Sequence, residues 1–177
     1  QPKLVLADTE TLMTLPERDM RAGYAEVLKY GLIDQPNFFS WLEANGARVI
    51  SKDPEATRRA VMTSCLAKAR IVSADERENG SRALLNLGHT FAHALEAEVA
   101  YEGRLMHGEA VAIGIVMAFD LSVRMGLCPG EDAARVRAHL TAMGLPTQPT
   151  DISGQVWRCA MLLNHMAQDK KVHKGKM

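Results

Sequence analysis

Two imidazoles stand four residues apart in the stretch LLNLGHTFAHALEAE, residues 84–98: His89 and His93, with a carboxylate, Glu96, three positions further on. In a helix the positions i, i+4 and i+7 share a face, and Asn86 could cap such a helix, so these side chains can chelate one divalent ion. The same spacing can also be idle, since a packed histidine is often held by hydrogen bonds at both ring nitrogens. Two further ionisable groups fall where packing is expected. His107, in MHGEAVAIG, opens a segment that is apolar nearly all round, and Glu26, in RAGYAEVLKYG, is bracketed by Tyr24, Ala25, Val27 and Leu28. A carboxylate in packed surroundings needs a cation, either a metal ion or Lys29 one turn on. Two imidazoles and one carboxylate make an open zinc-type site, with a position left for a substrate oxygen.

A set of cations accompanies these groups. Lys68, in CLAKARIV, sits in a largely apolar helical run, where a lysine either snorkels outward or points at an anionic ligand. Arg82, in GSRALLN, precedes the histidine segment and could grip a carboxylate or phosphate with two parallel hydrogen bonds. Lys170 and Lys171, in AQDKKVHKGKM, read as a solvated basic tail or as a phosphate contact.

The elements that must position these residues are helices. Apolar periodicity and breaker residues predict helices over about 17–33, 37–46, 53–75, 87–99, 108–126, 130–143 and 154–167. The one after His107 is apolar on every side, so it is expected to run through the middle of a bundle. KLVLAD, at 3–8, reads as a buried strand with nothing before it to pair with, and the chain opens on Gln1, so the expectation is an excised piece of a longer protein. The fold class expected is therefore mainly α, with one short N-terminal strand.

Composition is that of an ordinary globular protein: 177 residues, 47% hydrophobic, 24% charged, with Lys+Arg and Asp+Glu both at 21. Nothing in that balance points to nucleic acid or to a membrane surface. The longest apolar run, Ala110 to Phe119, is about half of the roughly 20 residues a membrane span needs. Cys65, Cys128 and Cys159 are far apart and in no CxxC pattern, which reads as three core thiols in a reducing, cytosolic compartment.

Together, RAGYAEVLKYGLI, DERENGSRALLNLGHTFAHALEA, HGEAVAIGIVMA and DKK, in this order and at these separations, resemble the 3-dehydroquinate synthase family, specifically its C-terminal metal- and substrate-binding domain. The likeness runs along the whole of residues 1–177. It implies a sugar-phosphate cyclase that converts 3-deoxy-D-arabino-heptulosonate 7-phosphate to 3-dehydroquinate and phosphate, with NAD and a divalent ion, zinc or cobalt, as cofactors. It implies transient oxidation of a ring hydroxyl, phosphate elimination, re-reduction and an aldol ring closure.

Carried over residue by residue, the resemblance makes Glu26, His89 and His107 the metal ligands and sets His93 beside the substrate with Asn86. Lys29 would contact a substrate hydroxyl, Lys68 and Arg82 would hold the substrate, and Lys170 or Lys171 would complete the phosphate end. Thr11, Leu12, Met13 and Thr14 would touch NAD, and Glu96 would be structural. The full-length parent is expected to be a cytoplasmic homodimer that takes a small sugar phosphate and binds neither nucleic acid nor membrane. The resemblance leads to the expectation that the family's N-terminal nucleotide-binding domain and its C-terminal end lie outside this piece; Ala92 stands where glycine is common, and the piece alone is expected to be inactive. The alternatives are another sugar-phosphate cyclase, a polyol dehydrogenase of glycerol dehydrogenase type, and a non-catalytic helical metal-binding or assembly domain.

Overall fold

The computed structural model describes residues 3–77, 80–99 and 103–168. Among them are the helices α1 (Glu17–Asp34), α2 (Pro36–Ile50), α3 (Pro54–Ala74), α4 (His89–Val99), α5 (His107–Arg124), α6 (Gly130–Ala142) and α7 (Cys159–Gln168). Short 3₁₀ segments cover Thr9–Thr14, Ser81–Asn86 and Pro149–Asp151. The expected mainly helical class holds. The strand expected over residues 3–7 does not form among the described residues: Leu4, Val5 and Leu6 are exposed, and an extended segment becomes a strand only when a neighbour accepts its backbone hydrogen bonds.

Local chemistry sets the helix ends. Asp53 accepts the Ala56 N–H at 2.9 Å and Pro54 opens α3, a combination that satisfies an orphan donor where proline needs none. Gly126 and Gly144 end α5 and α6 at φ +70° and +73°, and the next residues, Leu127 and Leu145, donate back to Ser122 and Leu140. Lys52 closes α2 in the same left-handed conformation, φ 63°, without being glycine. Its ammonium compensates by donating to the carbonyls of Met13 at 3.0 Å and Leu15 at 2.5 Å, which ties the first 3₁₀ segment to the α2–α3 junction.

Two boundaries differ from expectation for identifiable reasons. α2 runs through Gly46, because that glycine makes room for Tyr24 instead of ending the helix; a Cβ there would lie 2.4 Å from the Tyr24 hydroxyl. α7 starts at Cys159, after a segment in which the Trp157 indole donates to the Pro149 carbonyl at 2.7 Å.

Helix α5 is the axis of the molecule, packed on α1, α4 and α6. Its residues Gly108 and Ala110 to Val116 are buried, as its apolar pattern requires. One core gathers Tyr24, Leu28, Phe38, Phe39, Leu42, Val111, Ile115 and Leu140; a second joins Leu95, Ile113, Leu162 and Met166 across α4, α5 and α7. The reading of three core thiols is not met: Cys65 and Cys159 are exposed and Cys128 is half-buried, because the first two lie on outward faces of α3 and α7. No helix of the described residues is long and apolar enough to cross a membrane.

Candidate metal centre

Three helices meet at one point with chemistry-bearing side chains. Glu26 comes from the middle of α1, while His89 and His107 are the first residues of α4 and α5. Close backbone approaches set these positions. Gly88 has φ +78°, and a Cβ on it would lie 2.6 Å from the Ile115 nitrogen; a Cβ on Gly114 would lie 2.2 Å from the Gly88 carbonyl oxygen. The start of α4 therefore presses on the backbone of α5, a contact only glycine permits. Gly108 does the same for α5 and α1, since its Cβ would stand 1.9 Å from the Ala22 carbonyl oxygen, one turn before Glu26.

An ion pair reinforces that second crossing. Arg18 of α1 donates to both carboxylate oxygens of Glu109 at 2.6 and 2.8 Å and to the Arg104 carbonyl at 2.9 Å. Glu109 also accepts the Met106 N–H at 2.8 Å, which caps α5 just ahead of His107. Burial pushes the Glu109 carboxyl up, but Arg18 and the Met106 amide outweigh it and hold the group below the usual carboxylate range.

The resulting geometry fits a divalent ion. Glu26 Oε1 lies 3.5 Å from His89 Nε2 and 3.7 Å from His107 Nε2, and the three ligand atoms all fall within 4.8 Å of one another. Ligands bonded at about 2.0–2.1 Å around a tetrahedral ion sit roughly 3.3 Å apart, so small movements would close the shell. Glu26 Oε1 is buried and has no hydrogen-bond partner among the described residues. An orphaned carboxylate oxygen facing two imidazole nitrogens is the arrangement a cation would complete. The other nitrogen of each ring is held from behind: His89 Nδ1 lies 3.2 Å from the Leu87 carbonyl, and His107 Nδ1 lies 2.9 Å from Glu96 Oε1. Both contacts suit the tautomer with a proton on Nδ1 and the lone pair on Nε2, aimed inward.

The other candidates fall around this centre in different ways. His93 is one turn along α4, its ring 5.6 Å from that of His89 and 6.5 Å from that of His107, beside the converging trio and outside it. Lys29 is buried, with its ammonium 2.6 Å from Glu26 Oε2, which leaves Oε1 to face the two imidazoles; the lysine and an ion, alternatives in the sequence, do not compete for one oxygen. Buried Tyr30, beside Glu26, has its phenol pushed up to about 12, first by desolvation and then by the carboxylate charge.

Asn86 ends the second 3₁₀ segment, which packs on α1 and α3. Arg82, in the same segment, donates through its backbone to Asp75 at 3.0 Å and through its guanidinium to the Glu76 carbonyl at 2.8 Å. Lys68 is exposed on α3. Thr11, Leu12, Met13 and Thr14 form a 3₁₀ turn started by Asp8; Leu12, Met13 and Lys52 line a cavity of about 420 Å³. Lys170 and Lys171 lie outside the described residues. Sequence reasoning missed Lys52, whose left-handed backbone carries no glycine signal, and missed Glu96 as the partner of His107.

The family model described as 3-dehydroquinate synthase C-terminal matches residues 23–172. A 3-dehydroquinate synthase of Rhodospirillum rubrum is 60% identical over all of this chain and 46% of its own length; one of Rhizobium etli is 58% identical over all of the chain and 47% of its own. The chain thus spans about half the length of the curated relatives it matches. Among solved structures, a 2-epi-5-epi-valiolone synthase of Streptomyces hygroscopicus with NAD+ and Zn2+ bound superposes with a TM-score of 0.82. It is 26% identical, and the match covers 95% of this chain and 45% of that one. With the family match extending through Glu26, His89 and His107, the chain belongs to the 3-dehydroquinate synthase C-terminal family.

Proposed function

We propose that this chain is the metal- and substrate-binding half of a 3-dehydroquinate synthase, which turns 3-deoxy-D-arabino-heptulosonate 7-phosphate into 3-dehydroquinate and phosphate. The observation that carries this reading is the orphaned Glu26 oxygen facing two imidazole nitrogens at 3.5 and 3.7 Å. Relatives near 60% identity named for that activity support it over other sugar-phosphate cyclases, since the valiolone synthase is 26% identical. That solved relative holds NAD+ and Zn2+, which supports NAD and a divalent ion, zinc or cobalt, as the cofactors here.

When bound, the ion supplies Lewis acidity toward a substrate hydroxyl and NAD supplies a reversible hydride acceptor. Glu26, His89 and His107 hold the ion; Lys29 offsets the charge on the second Glu26 oxygen and offers a hydrogen bond to a substrate hydroxyl. His93, beside the ligands, takes or returns a proton at a substrate oxygen. Arg82 pairs with the substrate carboxylate, while Lys68 and one of Lys170 and Lys171 offset the phosphate, and Asn86 orients the ring. Thr11 to Thr14 contact NAD. The same reading makes the full-length protein a cytoplasmic homodimer.

Phosphate release from the heptulosonate phosphate by the full-length protein tests the proposal. Release should need only catalytic NAD, should stop with a chelator and should return with zinc or cobalt. Steady accumulation of NADH without phosphate release would establish a polyol dehydrogenase instead.

A further inference from the structure

We infer that Glu96 is a positioning residue for the metal centre, a carboxylate that holds His107 in its metal-binding orientation; the inference rests on the assignment of Glu26, His89 and His107 as ligands. Among those three, His107 is the least restrained by packing. Its side chain is 50% exposed, against 12% for His89 and 33% for Glu26. It is also the first residue of α5, so only one side of it is backed by helix. A half-exposed ring at a helix start keeps several rotamers unless something grips it.

Glu96 supplies the grip. Its Oε1 lies 2.9 Å from His107 Nδ1, and its own side chain is 15% exposed, so most of the carboxylate side chain is packed against the protein. Accepting from Nδ1–H selects the tautomer whose Nε2 lone pair faces Glu26, 3.7 Å away, and makes that nitrogen a stronger donor. Glu96 lies two turns beyond His89 on the same helix. Helix α4 thus provides one ligand directly and orients a second across the α4–α5 crossing. This accounts for a nearly buried carboxylate beside a metal centre without making it a ligand, since Glu96 stands outside the group of converging atoms.

Zinc affinity of the full-length protein, measured by competition with a chromophoric chelator, tests the assignment. E96A should weaken zinc binding about 10- to 100-fold, the usual effect of removing such an outer carboxylate, and E96Q, whose amide oxygen still accepts, should lose less. In an H107A background, E96A should have no further effect, because its only route to the metal is through His107. Equal losses from E96A with and without His107 would show a merely structural role and overturn the inference, as would zinc binding by E96A within about twofold of wild type. If E96A does not fold by circular dichroism, E96Q decides by the same criteria, with any loss having to vanish in H107A. A wild-type protein that binds no zinc overturns the metal assignment itself, an outcome distinct from a zinc-binding wild type matched by its Glu96 variants.

Discussion

Replacing Gly108 by alanine should damage the proposed metal centre without touching one of its proposed ligands. The added Cβ would lie 1.9 Å from the Ala22 carbonyl oxygen, 2.4 Å from its carbon and 2.6 Å from its Cα, all backbone atoms that cannot rotate away. Ordinary carbon contacts need about 3.5 Å, so the α1–α5 crossing must open by roughly 1 Å even after local relaxation. His107 precedes Gly108 and Glu26 follows Ala22 by one turn, so the opening falls on the gap between His107 Nε2 and Glu26 Oε1, now 3.7 Å. Two ligands each about 2.1 Å from one ion sit no more than roughly 4.2 Å apart, so a gap near 4.7 Å would have to close against the new backbone contact.

Overpacking against backbone should cost about 3 kcal/mol, or roughly 6–12 °C in Tm for a chain of this size. G108A should therefore melt early and bind zinc at least ~10-fold more weakly in chelator competition, with the zinc-dependent rise in Tm reduced to match. A G108A protein that melts with wild type and binds zinc within about twofold of it would refute the argument that this close approach sets the ligand spacing.

Other outcomes follow from individual contacts. K29M removes the cation from Glu26 Oε2; because that carboxylate is one-third exposed, the loss should be about 2 kcal/mol in chelator and smaller in excess zinc, read by urea melts. The His139 imidazole, buried against the Tyr24 hydroxyl at 2.8 Å, is depressed below its ordinary 6.5, chiefly by desolvation. The unfolded chain then binds a proton that the folded one resists, so the stability tied to His139 is complete above pH 6.5 and is lost as pH falls toward the folded value. H139N should flatten that part of a stability-versus-pH curve, and an unchanged slope would refute the assignment. K52G removes the left-handed penalty of about 1 kcal/mol but also the anchor on Met13 and Leu15. Hydrogen exchange at residues 9–15 should quicken by about tenfold or more, and unchanged exchange would show that the anchor is dispensable.

How far the sequence carries can be judged at particular residues. The bundle was legible because apolar periodicity, proline and glycine act locally: the first half of α5 is buried from Ala110 to Val116 as its pattern demands, and most helices fall within a few residues of expectation. The strand at 3–7 and the buried cysteines were misread because both depend on what lies opposite, and nothing in a short window specifies that. At the site, residue type and helical phase were enough to single out His89, His93 and Glu96 as one face, and an ionisable group set in an apolar stretch was enough to add Glu26 and His107.

The resemblance named those roles as expectations, and only the tertiary structure supplied distances to set beside them. Glycines at 88, 108 and 114 let three helix backbones meet closely enough for Glu26, His89 and His107 to converge, leaving His93 beside them. The α4–α5 crossing turned Glu96 toward the back of His107, a partner 11 residues away that helical spacing could not have named. Coordination and hydrogen bonding are decided by distances of a few tenths of an ångström between atoms on different helices, and such distances arise from packing; periodicity along one helix sets only which face a side chain takes.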